Sequence, residues 1–278
     1  MKPKLIDVHT HVQFAAYDSD MAEVIDRSLK SGTWLINVGT QQDTSLKAVE
    51  VANSYKKGVY ATIGLHPIHT EKSYHDIKEL GEGDAAEDFT SRGEVFDYEF
   101  YKKLGANPKV VAIGECGLDY YRLEETTKAK QLEAFGAQMK LSFELKKPLM
   151  IHCRNAFRDL IDFMTKNKNK LNNIPGIIHF FTGTPEDAEE LKALGFYFSF
   201  GGVTTFTRDY DVAIKKIGLN RIVLETDAPY VTPIPFRGKR NEPSYLIHTA
   251  EAVAKILELS SEVVADKTTE NARKVLRI

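Results

Sequence analysis

The sequence predicts an α/β protein closed into a (β/α)8 TIM-like barrel. Three observations lead there: eight short β-rich apolar runs, longer helical patterns between them, and polar residues at the C-terminal ends of most runs. Alternating β and α elements imply a parallel sheet with helical crossovers, and eight such strands close into a barrel of roughly 250 residues. The chain has 278 residues and reads as one such domain, 1–278. An open doubly wound sheet is the alternative. It would put its ligand at one switch point, whereas a barrel gathers polar side chains from many strand ends.

The strands are read at 4–8, 34–38, 59–64, 110–114, 148–151, 176–179, 197–200 and 221–224. Helical patterns at 19–30, 43–55, 126–146, 156–167, 185–194 and 209–217 fill the crossovers, and 244–257 and 260–276 follow the last strand. Thr184-Pro185-Glu186-Asp187 starts a helix with Pro and acids in its first turn, and Gly195 stops it. Ser260 reads as an N-cap. The third crossover, 70–105, is irregular, and its acidic, Gly-containing part 81–97 reads as a surface excursion.

Composition excludes several classes. Hydrophobic residues make up 42% and charged residues 27%, an ordinary globular mixture. Lys+Arg is 37 against Asp+Glu 39, so the net charge of −2 offers no global basic field. An anionic substrate must then be held by a local patch or by metal. The apolar runs are shorter than the ~20 residues of a membrane span. Two cysteines, Cys116 and Cys153, argue against a disulfide scaffold, and the first residues lack a signal peptide's apolar core. The expectation is a cytoplasmic protein with no membrane and no obligate protein partner.

The chemistry sits at the strand ends. His9-Thr10-His11 follows strand one, and residues two apart on a strand share a face. Glu115 ends strand four, His152 strand five, His179 strand six and Asp227 strand eight. Burying several such groups in one mouth is costly unless an ion is shared. Four imidazoles and two carboxylates suit Zn, Mn, Co or Ni better than an all-oxygen calcium cage, with Mg kept among the candidate ions. Six ligands exceed one tetrahedral zinc, which points to two divalent ions bridged by Glu115. Asp227 has a second role as proton acceptor for the attacking water. Glu225, two residues earlier, reads as a supporting residue, as do Asp119 and Tyr120.

Further candidates have two readings each. His66, at the end of strand three, contacts substrate phosphate or a leaving oxygen, or is a satisfied loop histidine. Arg154 forks onto a phosphate or pairs at a helix start. The basic loop with Arg237, Lys239 and Arg240 is a phosphate patch after strand eight, or a solvated loop braced on Glu242. His69, His75 and His248 read as surface residues, and Cys116 and Cys153 as small hydrophobes facing outward from their strands.

These motifs resemble the TatD family of metal-dependent hydrolases, within the wider amidohydrolase-like barrels. The resemblance runs through Asp7-Val8-His9-Thr10-His11, Gly64-Leu65-His66-Pro67, Ile113-Gly114-Glu115-Cys116-Gly117-Leu118-Asp119, Ile151-His152-Cys153-Arg154, His179-Phe180-Phe181-Thr182-Gly183, Glu225-Thr226-Asp227-Ala228-Pro229 and Arg237-Gly238-Lys239-Arg240-Asn241-Glu242-Pro243. It covers essentially the whole chain and implies a barrel of the metal-dependent hydrolase type. It puts the family's ligands on His9, His11, Glu115, His152, His179 and Asp227. It also implies deoxyribonuclease, typically exonuclease, activity on DNA. The 81–97 excursion looks longer than the family's usual third crossover. Two other functions stay open: a small-molecule amide, ester or phosphoester hydrolase on the same metals, and a metal-dependent binding scaffold.

Overall fold

The computed structural model describes residues 2–72, 74–75, 89–122 and 125–278. Its strands are β1 (Leu5–Thr10), β2 (Thr33–Val38), β3 (Val59–Ile63), β4 (Tyr74–His75), β5 (Phe89–Thr90), β6 (Val110–Asp119), β7 (Leu149–Arg154), β8 (Gly176–Ile178), β9 (Tyr197–Phe200) and β10 (Ile222–Leu224). Its helices are α1 (Met21–Ser31), α2 (Gln42–Asn53), α3 (Tyr98–Gly105), α4 (Lys128–Leu145), α5 (Phe157–Lys166), α6 (Pro185–Ala193), α7 (Asp211–Ile217), α8 (Leu246–Leu257) and α9 (Ser261–Leu276). Eight strands close a parallel barrel in the order β1-β10-β9-β8-β7-β6-β3-β2, while β4 and β5 form a separate antiparallel pair. The (β/α)8 expectation holds.

The predicted caps hold too. Thr184 and Asp187 make a reciprocal capping box at α6, and Ser260 accepts from the Val263 amide at α9. Several elements depart from the sequence reading, among them β7, which runs to Arg154, and the β4–β5 pair in the third crossover. Helix α3 lies inside the crossover read as irregular; its eight residues are too few for a clear period, and it is announced only by Asp97, which caps the Phe100 amide. Strand β6 runs past residue 114 to Asp119, its last four residues pairing with Ile151 to Arg154 of β7. Of the 81–97 excursion, 81–88 lies outside the described residues. The rest contains β5 and a return past the barrel rim, where Arg92 pairs with Asp43 and Glu94.

Two apolar layers hold the barrel. The outer one fills the space between strands and helices, and includes Leu35, Ile63, Ile151, Phe198 and Leu224 with Phe135, Leu160 and Leu191. Cys116 and Cys153 are buried in this layer, facing outward as expected. The inner one joins Ile6, Val8, Ile36, Met150, Ile177, Tyr197 and Val223 to Ala272, Val275 and Leu276 of α9. Thr269 of α9 donates to the Lys4 carbonyl, and Asn271 to the Ile222 carbonyl, both at strand starts. Helix α9 therefore closes the N-terminal end of the barrel; each large apolar side chain buried there stabilises by ~1.5–3 kcal/mol. The C-terminal end is left as the open mouth. No helix among the described residues is long and apolar enough to cross a membrane.

Candidate metal centre

Plain strand alternation would turn three of the candidate ligands, His9, His11 and Glu115, away from the mouth. On β1, Leu5 packs in the outer layer, so a regular strand would face His9 outward as well. On β6, Ile113 is outward, and Glu115 would follow it. A bulge in each strand reverses this. The four residues of β1 from Asp7 to Thr10 lie opposite three of β2, and the four of β6 from Ile113 to Cys116 lie opposite three of β7. His9, His11 and Glu115 then face the mouth. Gly114 stands at the second bulge with φ +141°, where a Cβ would lie 2.1 Å from the Met150 carbonyl oxygen. No bulge is needed elsewhere, because His152 follows Met150 and His179 follows Ile177 on the inner face.

Four of the candidate ligands, all imidazoles, surround the carboxylate of Glu115, and Asp227 joins the cluster through His9 and His11. Glu115 Oε2 lies 3.4 Å from His9 Nε2 and 4.0 Å from His11 Nε2. Those two nitrogens are 3.1 Å apart, and Asp227 Oδ1 is 3.8 and 3.5 Å from them. Glu115 Oε1 lies 3.1 Å from His152 Nδ1, 3.5 Å from His179 Nε2 and 3.2 Å from His66 Nε2. One oxygen faces each half of the cluster.

The remaining ring nitrogens set the tautomers. His11 Nδ1 donates to the Val38 carbonyl at 2.8 Å, His152 Nε2 to Asp119 at 2.8 Å, and His179 Nδ1 to Glu225 at 2.9 Å. In the neutral rings, the nitrogen facing Glu115 then carries a lone pair. Lone pairs and carboxylate oxygens packed this closely repel one another unless a cation lies among them, and the N/O donor set fits a divalent transition metal or zinc. His66 differs. Its Nδ1 accepts from the Ile68 amide, so its proton is on Nε2 and points at Glu115. It is a hydrogen-bond donor to the site, and burial pushes it down to about 4, keeping it neutral.

The field around the cluster favours positive charge. Burial opposes ionisation of Glu115, but His66, His9, His179 and the His152 hydrogen bond hold it well below the usual carboxylate range. Asp227 is lowered despite burial, by the His11 hydrogen bond and by His179 and His9. Burial opposes charge on His179 as well, yet Glu225 and Glu115 push it up to about 10. Carboxylates kept ionised among imidazoles are groups on which a metal cation competes with protons.

Asp227 sits in a turn with φ +55°, fixed from three sides. Its amide donates to the His9 carbonyl at 2.9 Å, and the His11 amide donates to Ala228 at 2.7 Å, lacing the turn to β1. Asp7 accepts from the Thr226 amide and hydroxyl and from the His9 amide. The fully buried Asn241 donates from one amide nitrogen to the carbonyls of Thr226 and Tyr230, on either side of Asp227. The sequence reading assigned no role to Asp7 or Asn241; the only available signal was their place inside the Asp-x-His-x-His and Arg-Asn-Glu-Pro segments.

A cavity of about 390 Å³ opens over the cluster, within the size range of small-ligand sites. Phe14, Ile68, Phe180, Tyr210 and Tyr230 line it, with Arg122 and Arg154 as cations. Arg154 lies over the ring of Tyr121, 3.7 Å from its centroid. Tyr120 bonds Asp159 rather than a ligand. The basic loop does not reach the cavity lining. Arg240 is spent on Asp20 and the Ala16 carbonyl, over the ring of Tyr17. Arg237 donates to Thr232 and covers Phe206, and Lys239 lies over Phe236. These three cations brace loops, because aromatic faces and a carboxylate meet them before the mouth does. His69, read as a surface residue, is buried, lines the cavity and pairs with Ser91. The short helical turn Pro67–Thr70 folds it inward. His248 is half-buried beside Glu251.

Comparison with known proteins shows the family of the chain. A Bacillus subtilis (strain 168) protein named uncharacterized metal-dependent hydrolase YabD is 38% identical over 277 residues, 99% of each chain. A Yersinia pseudotuberculosis serotype O:3 (strain YPIII) protein named 3'-5' ssDNA/RNA exonuclease TatD is 34% identical over 278 residues, covering 97% of this chain and 96% of that one. The solved structure of the Escherichia coli K12 TatD homolog YJJV shares the fold, with TM-score 0.81, 23% identity and full coverage of both chains. The family model for TatD related DNase matches residues 6–277, and the chain belongs to that family as a metal-dependent hydrolase.

Proposed function

We propose that this hydrolase removes nucleotides from the end of single-stranded nucleic acid, DNA foremost, with two divalent cations in the barrel mouth. Glu115 carries the proposal. One of its oxygens faces His9 and His11, beside which Asp227 lies, and the other faces His152 and His179, an arrangement that would suit a carboxylate shared by two cations. Those residues would hold the ions, with Zn, Mn, Mg, Co and Ni as candidates. Bound there, the ions supply Lewis acidity and neutralise charge on a phosphodiester.

The chain's own residues account for the rest. Asp227, with its side chain 17% exposed, is more open than His9 or Glu115 and meets the incoming water. It accepts the water's proton as the new P–O bond forms and the sugar oxygen departs; the proton then passes to that oxygen or to solvent. His66, whose Nε2–H points into the mouth at Glu115 Oε1, is the candidate donor to a phosphate oxygen that comes to lie there. Arg154 forks onto phosphate from the rim, and Phe14 and Tyr230 offer ring faces on which a terminal base stacks. With a net charge of −2, phosphate attraction has to come from the ions and these rim cations. The exonuclease name of the Yersinia relative supports the reading.

The test is metal-loaded protein on end-labelled single-stranded DNA, with and without chelator, beside Asp227→Asn. The expected result is stepwise shortening from the 3' end, lost on chelation and in the variant. Intact DNA from protein that carries metal would overturn the nuclease reading and leave a small amide, ester or phosphoester as substrate.

A further inference from the structure

Two buried polar atoms in the mouth have no partner among the described residues: His9 Nδ1 and Glu225 Oε1. Both residues are 0% exposed. Ligand-type atoms of His9, His179 and Glu225 lie within 4.8 Å of one another, and the rings of His9 and His179 stack with centroids 3.5 Å apart. Glu225 Oε2 is already engaged, accepting from Ser199 Oγ and His179 Nδ1. The two orphans are complementary. His9 Nε2 faces the Glu115 and His11 cluster, and an imidazole that turns its Nε2 lone pair to a cation carries its proton on Nδ1. That buried N–H needs an acceptor, and the oxygen lacking a donor is on Glu225.

We infer that Glu225 is a positioning residue for two histidines at once: Oε2 holds His179, and Oε1 takes the Nδ1–H of His9, directly or through one water. The inference rests on the two-cation reading above. Glu225 is not the core of a third metal site, since His179 Nδ1 is spent on its hydrogen bond. The consequence is coupling between the halves of the centre. His9 stands on the Oε2 side of Glu115 and His179 on the Oε1 side, so one carboxylate orients a ligand in each. Asp119, by contrast, orients His152 on one side.

The test is calorimetric titration of chelator-stripped wild type, Glu225→Gln and Asp119→Asn with Mn²⁺ or Zn²⁺. Wild type should take two ions. Glu225→Gln should weaken both binding steps by roughly 10–100-fold, and Asp119→Asn one of them. Nitrogen NMR of zinc-loaded wild type should show a proton on Nδ1 of both His9 and His179, and needs no variant to fold. Wild type that takes fewer than two ions overturns the two-cation reading and this inference with it. Wild type that takes two ions, while Glu225→Gln binds equally tightly or His9 Nδ1 is bare, overturns the role of Glu225 alone.

Discussion

Arg240 and Asp20, 220 residues apart in sequence, meet in a two-pronged ion pair: Nη1 to Oδ1 at 2.9 Å and Nη2 to Oδ2 at 2.6 Å. The same loop reaches α1 again through Glu242, which accepts from Arg27. The pair thus ties the loop after β10, and with it the Asn241 clamp on the Asp227 turn, to the start of α1.

Arg240→Ala should therefore act on stability. A loss of about 1–3 kcal/mol is expected for charge-assisted bonds of this geometry, read as a fall of several degrees in Tm. The Arg240 hydrogen bond, with Arg27 nearby, holds Asp20 below the usual carboxylate range. A depressed folded-state pKa contributes stability above the unfolded value of about 4, lost as pH falls through the folded value. The Tm gap between wild type and variant should narrow below about pH 4. A gap that widens on acidification would contradict the pairing.

Arg154→Ala should act on substrate instead. Steady-state kinetics on an oligonucleotide should show KM raised by roughly 10-fold or more, the worth of a charge-assisted phosphate contact. Arg240→Ala, assayed well below its Tm, should leave KM near wild type. Equal increases in both would return the 237–240 loop to the substrate path.

Removing the proposed proton acceptor should separate chemistry from folding. Asp227→Asn is expected to lower kcat by about 10²–10⁴-fold while circular dichroism stays native. Chelation should abolish turnover reversibly, with activity restored on adding back a divalent ion.

Gly117 marks a second close approach in the bulged strand. Its φ is +137°, and a Cβ there would lie 2.0 Å from the His152 carbonyl oxygen. Gly117→Ala should push β6 off β7, separating Glu115 from His152. The expected result is a loss of at least about 2 kcal/mol by denaturant titration, together with weaker metal binding.

Leu276→Ala probes the other end of the barrel. Leu276 is 3% exposed in the inner layer, so truncation should cost about 2–5 kcal/mol. Metal affinity of the folded fraction should not change, because α9 closes the end opposite the mouth.

The barrel was legible because its signals are local. Runs such as Ile36 to Val38 or Ile177 to Ile178 declare strands by their own composition, and Thr184 to Asp187 declares a helix start within four residues. His152 and His179 were legible as candidate site residues for the same reason, since each follows an apolar run in simple alternation, and Asp227 because it closely follows one. Helix α3 was not, because two turns leave no period to read.

The sequence by itself determined where the barrel strands lie, that imidazoles and carboxylates gather toward their C-terminal sides, and that the crossovers are helical. All of these follow from periods of 2 and 3.6 along a single segment. Only the tertiary structure decided that His9 and Glu115 face inward, since each depends on a bulge set by the register of the neighbouring strand. It also decided that Arg240 braces Asp20 and leaves the mouth to Arg154 and Arg122, and that Asp7, Asn241 and Glu225 hold the site. Those partners lie tens to hundreds of residues apart, and a hydrogen bond across such a separation is specified by the closed barrel, not by the residues beside it in the chain.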